Sequence, residues 1–270
     1  MKLLVRLLLL ICMAQTASAA HVDTLDIFSP KMHRAYKCVM ITPDSYKSGT
    51  RRYPVVYLLH GASGDYSNWV TKVPAIKELA DAYQLMIVCP DGAYSSWYFD
   101  SPTDSSMRFE TYVAKEIPAY IDQHYQTLPE PAHRAIAGLS MGGHGALFLA
   151  IRHPDIFGAA GAISGGVDIR PFPKNWDIAK RLGPAGPDGA NWTDYTVIKQ
   201  VEKLKPGTLA LSIDCGVKDF FIDVNRDLHK KLLLLGIDHD YTERPGQHDW
   251  AYWSNAVTYQ LLFFHHFFNR

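Results

Sequence analysis

Ser140 is the residue whose surroundings most clearly predict chemistry. It stands at the centre of Gly138-Leu139-Ser140-Met141-Gly142, between a short apolar stretch and a predicted helix. This G-x-S-x-G pattern is typical of a nucleophile elbow, in which a serine occupies a sharp strand-to-helix turn. Glycines two positions before and after the serine let the strand and helix backbones pass without a Cβ clash. The pattern alone also fits a glycine-rich turn without chemistry, so a nucleophile needs partners elsewhere in the chain.

A serine nucleophile requires a histidine that removes its proton and a carboxylate that orients the imidazole. In α/β-hydrolases the chain order is serine, acid, histidine, and we expect the histidine in the loop after the last strand. Of the histidines beyond Ser140, His248 alone lies in a turn directly after the final predicted strand, within the sequence Pro-Gly-Gln-His-Asp at 245–249. We therefore predict His248 as the general base.

The carboxylate should follow the strand before the last one. The predicted strand at 209–213 runs into a segment with three candidates, Asp214, Asp219 and Asp223. Asp214 is too close to the strand to reach over its end, and Asp223 is suited to cap the next helix. Asp219 lies at the crest of the loop and is our choice for the acid, with Asp214 as the alternative.

An oxyanion hole needs two backbone N–H groups that point at the developing negative charge. One comes from the residue after the nucleophile, here Met141, and the other from the loop after an earlier central strand. That loop begins with His60-Gly61-Ala62. We predict the amides of Met141 and Ala62 as the two donors, with Gly61 as the alternative to Ala62.

The elements that would position these residues alternate between strands and helices, and each strand is apolar throughout. Such alternation predicts a mostly parallel central sheet with helices on both faces, the α/β class. The predicted strands are 35–43, 54–59, 85–89, 133–138, 158–163, 209–213 and 238–243, and the predicted helices are 73–84, 107–125 with a kink at Pro118, 140–152, 224–235 and 250–268. Residues 165–207 break the rhythm with many Pro, Gly, Trp and Asp, and we interpret them as an irregular cap insertion with one or two short helices over the site.

The first nineteen residues have the features of a secretory signal peptide. A short basic region precedes an apolar stretch too short to cross a bilayer, and small residues follow it up to Ala20. We expect cleavage after Ala19 or Ala20 and a periplasmic or secreted protein, with an uncleaved anchor as the alternative. The remaining residues, 20–270, are expected to form a single domain, because a chain of 270 residues that is 47% hydrophobic can bury one full core.

The net charge indicates which partners to expect, and the cysteines indicate whether disulfides form. The 27 Lys and Arg balance the 27 Asp and Glu, which gives no general attraction to nucleic acid or to an anionic membrane. Cys38, Cys89 and Cys215 lie in apolar strand-like segments, which favours buried free thiols over a disulfide framework. The sequence has no metal-ligand motif and no phosphate-binding glycine loop, so we expect no cofactor and no metal.

These motifs together resemble the esterase D-type branch of the α/β-hydrolases, which contains S-formylglutathione hydrolases, tributyrin-type carboxylesterases, bacterial feruloyl esterases and mycolyltransferases. The resemblance covers nearly all of the chain after the signal peptide, and its motifs lie in order at residues 29–34, 58–61, 68–69, 100–102, 109–112, 138–147, 215–220 and 245–250. It implies an α/β-hydrolase fold, carboxylesterase activity and a triad of Ser140, Asp219 and His248. Glu110 and His144 also match positions of the family, and we interpret them as supporting or packing residues.

The resemblance implies a range of esters without selecting one. The expected signal peptide, the cap insertion and an aromatic-rich surround favour feruloyl or acetyl esters on plant polysaccharide. Residues expected to contact the substrate are His60, Gly61, Trp69, Trp97, Tyr98 and Trp176. Acyl transfer of the mycolyltransferase type is an alternative, whereas S-formylglutathione hydrolysis is disfavoured because that role is cytosolic. From another class, an inactive binding protein on this fold is disfavoured because no triad residue is missing.

Overall fold

One eight-stranded sheet forms the centre of the molecule. The structure, a computed structural model, describes residues 20–48, 50–186 and 190–270, so the predicted signal peptide lies outside the described residues. The strands are β1 (His21–Ser29), β2 (Arg34–Thr42), β3 (Val55–Leu59), β4 (Met86–Pro90), β5 (Arg134–Leu139), β6 (Ala159–Ile163), β7 (Ala210–Gly216) and β8 (Asp240–Arg244). Their order in the sheet is β1-β2-β4-β3-β5-β6-β7-β8. Strands β3 to β8 are parallel, and β2 is antiparallel to both β1 and β4.

Helices cover both faces of this sheet, which confirms the predicted α/β-hydrolase class. They are α1 (Asn68–Lys72), α2 (Ile76–Tyr83), α3 (Phe109–Thr111), α4 (Ile117–His124), α5 (Met141–Arg152), α6 (Ile178–Leu182), α7 (Ala190–Asp194), α8 (Val197–Gln200), α9 (Ile222–Leu234) and α10 (Trp250–Phe268). Short 3₁₀ turns lie at Asp44–Ser48, Pro131–His133 and Val201–Lys203. Among the described residues, none of the helices is both long and apolar enough to cross a lipid bilayer.

The hydrophobic core consists of two layers, one on each face of the sheet. One layer packs α4, α5 and α9 against the strands, and the other packs α2 and α10. Central strands contribute to both layers because successive side chains of a strand point to opposite faces. All residues of β3 and of β5 are buried, which explains why these strands are apolar throughout rather than alternating.

The structure differs from the predicted elements at several places. The described part of the insertion at 165–207 contains three short helices, α6, α7 and α8, rather than one or two. Strand β1 was not among the predicted strands, because this strand at the edge of the sheet carries polar residues and only Ile27 and Ser29 are buried. The predicted helix at 107–125 contains a π-helical segment at Tyr112–Glu116, and Pro118 follows this segment as the second residue of α4. The strand predicted at 209–213 continues to Gly216, so Asp214 lies within β7.

Candidate active site

Ser140 lies at the turn between β5 and α5 in a conformation that L-residues rarely adopt. Its backbone angles are φ 55° and ψ −118°, and its N–H donates to the carbonyl of Ile163 at 2.9 Å. A Cβ on Gly138 would lie 2.5 Å from the carbonyl carbon of Gly142, and a Cβ on Gly142 would lie 2.5 Å from the carbonyl oxygen of Leu59. The glycines of the motif therefore allow the close backbone approach that holds the serine in this strained turn.

The three predicted triad side chains are in contact in the structure. His248 Nε2 lies 3.0 Å from Ser140 Oγ, and His248 Nδ1 lies 2.8 Å and 3.0 Å from the two carboxylate oxygens of Asp219. The Asp219 side chain has no exposed surface and also accepts a hydrogen bond from the Phe221 N–H at 2.8 Å. Because a carboxylate only accepts, Nδ1 carries the proton, which leaves Nε2 free to accept the serine hydroxyl proton.

The two other candidate acids do not face His248. Asp214 projects from β7, where its carboxylate accepts hydrogen bonds from Tyr252 and Arg244. Burial raises the pKa of Asp214, and these two donors act in the opposite direction. Asp223 lies in the first turn of α9, is mostly exposed and pairs with a neighbouring arginine on the same helix.

Aromatic rings enclose the imidazole of His248, whose side chain is 15% exposed. The ring of Phe220 lies 4.2 Å from the imidazole centroid, Trp253 meets it edge-on at 4.9 Å, and Phe221 lies 5.5 Å away. The sequence analysis did not single out these neighbours, although all three stand within five residues of the acid or the base. Their apolar faces limit the access of water to the hydrogen bonds of the imidazole.

The turn after β3 is held from behind by the buried side chain of His60. The Gly92 N–H donates to His60 Nε2 at 2.7 Å, so the proton is on Nδ1, which donates to the Gly61 carbonyl at 2.8 Å. Burial lowers the pKa of His60, in keeping with this neutral form. In a trans peptide the C=O and N–H point in opposite directions, so the Ala62 N–H faces away from His60. A Cβ on Gly61 would lie 3.3 Å from the Cβ of Ser140, so this turn abuts the elbow.

A cavity of about 860 Å³ opens at Ser140 and His248. Gly61 and Trp176, predicted as substrate contacts, and Ala62, predicted as an oxyanion donor, line this cavity. Met141 is the first residue of α5, so its N–H has no acceptor within the helix. Further lining residues that the sequence analysis did not name as substrate contacts are Asn68, Tyr94, Lys174, Asp177, Phe220, Trp250 and Trp253.

Four side chains that we expected to contact the substrate do not line this cavity. His60, Trp69, Trp97 and Tyr98 are each at most 1% exposed. Trp97 instead donates its indole N–H to the Trp176 carbonyl at 3.1 Å, and the Tyr98 hydroxyl donates to the His60 carbonyl at 3.0 Å. This corrects the expectation for all four, which support the lining residues from behind. Residue type alone did not distinguish an aromatic wall from the aromatic core beneath it.

Glu110 and His144 both contact α5, and neither lines the cavity. His144 is fully buried in α5 and its Nε2 lies 2.9 Å from the Tyr195 carbonyl, so it ties the nucleophile helix to the insertion. Burial lowers the pKa of His144 to about 3. Glu110 accepts hydrogen bonds from Arg152 Nε at 2.8 Å and from His153 Nε2 at 2.9 Å, at the other end of α5. Both side chains therefore fix α5 against its neighbours.

The sequence of this chain is similar to those of known esterases and of an acyltransferase. A family model described as putative esterase matches residues 29–264. The diacylglycerol acyltransferase/mycolyltransferase Ag85A of Mycobacterium gordonae is 32% identical over an alignment of 273 positions, gaps included, which covers 87% of this chain and 78% of that protein. An acetyl esterase of Caldicellulosiruptor saccharolyticus is 30% identical over an alignment of 217 positions, which covers 75% of this chain and 79% of that protein.

Solved structures extend the likeness to the fold. A solved structure of a ferulic acid esterase superposes on this chain with a TM-score of 0.81 at 28% identity, over 92% of this chain and 98% of that one.

Two longer esterases of Mycobacterium tuberculosis match only part of this chain, with 34% identity over 134 residues. The match covers 48% of this chain but 29% of those proteins, so this chain spans less than a third of their length.

Proposed function

This chain belongs to the putative esterase family, and on that premise we propose that it hydrolyses carboxylic esters through Ser140, His248 and Asp219. The observation that carries the proposal is the continuous line of contacts from Ser140 Oγ to His248 Nε2 and from His248 Nδ1 to Asp219. The order and geometry are those that a serine nucleophile, a general base and an orienting acid require. The cavity at the serine supplies access for an ester.

Ser140 Oγ attacks the ester carbonyl carbon while His248 Nε2 takes its proton. The carbonyl oxygen becomes an oxyanion, which the amides of Met141 and Ala62 stabilise. The C–O bond to the alcohol then breaks, His248 gives its proton to the departing oxygen, and an acyl-serine remains. Water, deprotonated by His248, attacks the acyl-serine, and as the bond to Ser140 Oγ breaks, His248 returns the proton to that oxygen and the acid is released. Asp219 stays ionised and holds the imidazole throughout.

We propose short acyl or hydroxycinnamoyl esters as the substrates, including feruloyl and acetyl groups on plant polysaccharide. In support, Trp176 and Phe220 stack at 5.7 Å with an interplanar angle of 18° and both line the cavity, which suits a planar aromatic group. The volume of about 860 Å³ lies in the range of small-molecule sites. The relatives named acetyl esterase and ferulic acid esterase are consistent with these two acyl classes.

A second candidate function is acyl transfer to a sugar alcohol, favoured by the similarity to a protein named as a mycolyltransferase. The same triad would serve, with a sugar hydroxyl replacing water at the acyl-serine. Product analysis of ester reactions with and without an acceptor sugar separates the two, because transfer yields a new sugar ester. S-formylglutathione hydrolysis and an inactive binding protein stay as the less favoured alternatives.

We also propose that the chain is exported and that residues 1–19 are removed. The signal-like sequence motivates this, and the first described residue is compatible with it. Ala20 is buried, and its N–H donates to a carboxylate oxygen of Asp81 at 2.8 Å. Cleavage after Ala19 would turn this N–H into an ammonium group beside a carboxylate, which favours Ala19 over Ala20 as the last residue removed.

Replacement of the nucleophile tests the proposed function. We expect Ser140→Ala to lower kcat for p-nitrophenyl acetate by at least about 10³-fold and to abolish covalent labelling by a fluorophosphonate. Ser106→Ala, on an exposed loop away from the cavity, is the matched control and should keep wild-type turnover and labelling. Near-UV circular dichroism checks that both variants are folded. A folded Ser140→Ala protein that turns over within tenfold of wild type would refute the proposal.

A further inference from the structure

Asp214 is a buried carboxylate whose two oxygens are bound by two different parts of the chain. Its side chain is 4% exposed. The hydroxyl of Tyr252 donates to Oδ1, and the guanidinium of Arg244 donates to Oδ2. Asp214 makes no contact with Ser140, His248 or Asp219 among its recorded hydrogen bonds and ion pairs in the described part of the chain. The proposed mechanism therefore leaves this carboxylate without a function.

The two donors stand at the two ends of the segment that carries the proposed base. Arg244 is the last residue of β8, and Tyr252 lies in the first turn of α10. Between them runs the histidine loop, defined here as residues 245–249, which holds His248. A single carboxylate thus binds the chain directly before and shortly after this loop.

The position of the histidine loop depends on the groups that pack beneath it, and Tyr252 is one of these groups. A Cβ on Gly246 would lie 2.2 Å from the ring of Tyr252, so the loop backbone rests directly on that ring. A Cβ on Gly216 would lie 2.7 Å from the Gly246 carbonyl, and the Lys218 N–H donates to that carbonyl at 2.9 Å. The loop of the base and the loop of the acid are therefore in backbone contact, and Tyr252 lies against the former.

We propose that Asp214 is a positioning residue, which holds both ends of the histidine loop so that His248 stays between Ser140 and Asp219. The inference rests on the proposed role of His248 as the base. Without the carboxylate, Tyr252 and Arg244 lose their shared acceptor, and the loop can shift relative to Gly216. A shift of about 1 Å at a catalytic group can cost on the order of 10²-fold in rate. The effect belongs in kcat, because Asp214 does not line the cavity that binds the ester.

The cleanest test is Tyr252→Phe, which removes one hydroxyl and keeps the ring under Gly246. We expect kcat for p-nitrophenyl acetate to fall ten- to hundred-fold while KM changes less than threefold. Asp214→Asn should cost at least as much, and the double variant should cost no more than Asp214→Asn alone, because the tyrosine acts through the carboxylate. Asp223→Asn, an exposed acid on α9, is the matched control and should keep wild-type kcat.

A spectroscopic readout separates positioning from general loss of stability. The His248 Nδ1 proton, hydrogen-bonded to Asp219, should give a low-field ¹H NMR signal in the wild type that broadens or disappears in Tyr252→Phe. Wild-type kcat and an unchanged low-field signal in folded Tyr252→Phe would overturn the inference, even if Asp214→Asn fails to fold. Turnover that survives in Ser140→Ala would instead refute the proposed function, so the two failures are distinguishable.

Discussion

At the scale of single residues, His248 has a different task for each ring nitrogen. Nδ1 donates to Asp219 and Nε2 faces the serine hydroxyl, so the tautomer that the proposed mechanism requires is present without a substrate. An uncharged amide at the acid position offers an N–H₂ group as well as an oxygen, and can therefore stabilise the wrong tautomer. The charge of the acid, and not only its shape, should thus determine the rate.

Replacing Asp219 by Asn removes this charge and keeps the shape of the side chain. We expect kcat to fall by about 10³- to 10⁴-fold with little change in KM, measured with p-nitrophenyl acetate. The loss should exceed that of Asp214→Asn by at least tenfold, because Asp214 only positions the histidine loop. A larger loss for Asp214→Asn than for Asp219→Asn would reverse the assignment of the acid.

At the scale of elements, the residues with positive φ cluster around the cavity. Ten described non-glycine residues have positive φ, and eight of these lie in the loops after β3, β4, β5 and β6 or in the insertion: Ser63, Ala93, Trp97, Tyr98, Ser140, Ser164, Trp176 and Asp177. Backbone strain of this kind persists only where the surrounding contacts determine the conformation. The hydrogen bond from Trp97 to the Trp176 carbonyl joins two of these loops. The rim of the cavity is therefore a preformed surface.

His144 joins the insertion to α5, and its burial predicts a pH-dependent stability. The pKa of this histidine is lowered from its ordinary value of 6.5 to about 3 by burial. Between these values the unfolded chain binds the proton and the folded chain does not, so the free energy of unfolding falls as the pH falls from 6.5 towards 3. The slope from this one group reaches about 1.4 kcal/mol per pH unit.

Urea unfolding at pH 7, 6 and 5 measures this dependence. His144→Gln removes the titration and keeps an N–H donor for the Tyr195 carbonyl, so its free energy of unfolding should change less over this range than that of the wild type. His124→Gln, at an exposed histidine that ends α4, is the control and should follow the wild-type slope. Equal slopes for His144→Gln and the wild type would contradict the prediction.

The elements also show what the sequence could and could not predict. The central strands were predictable because two-sided burial makes them apolar throughout, and the turns that bear Ser140 and His248 followed from those strands. The edge strand β1 was missed because a half-exposed strand at the sheet edge tolerates polar residues. The substrate contacts were mostly wrong for another reason. Trp97 and Phe220 are both aromatic, yet one lies in the core and the other at the cavity, and only the packed fold distinguishes them.

At the scale of the whole molecule, the candidate site lies along one edge of the sheet. The turn of Ala62 follows β3, Ser140 follows β5, Asp219 follows β7 and His248 follows β8. These strands are parallel, so their carboxyl ends meet at the same edge, where open α/β sheets bind their ligands. Residues far apart in the chain are thereby brought within hydrogen-bonding distance by rigid strands rather than by long loops.

The last prediction concerns the start of the chain. If residues 1–19 are removed on export, the new α-amino group of Ala20 forms an ion pair with Asp81, whose carboxylate already accepts from the Ala20 N–H. The same carboxylate accepts from the Asp44 N–H at 2.6 Å, so it links the new terminus to the segment after β2. We expect intact-mass measurement of the exported protein to show Ala20 as the first residue.

The ion pair should also be measurable as stability. In the processed protein, Asp81→Asn should lower Tm by about 2–4 °C, because the ammonium loses its partner. In a matched form that carries Gly-Ser before Ala20, the same nitrogen is an uncharged amide, so the effect of Asp81→Asn should be smaller. A mature chain that begins at His21 would lack the buried Ala20, and one that keeps residues 1–19 would lack the charge. Either product would refute cleavage after Ala19.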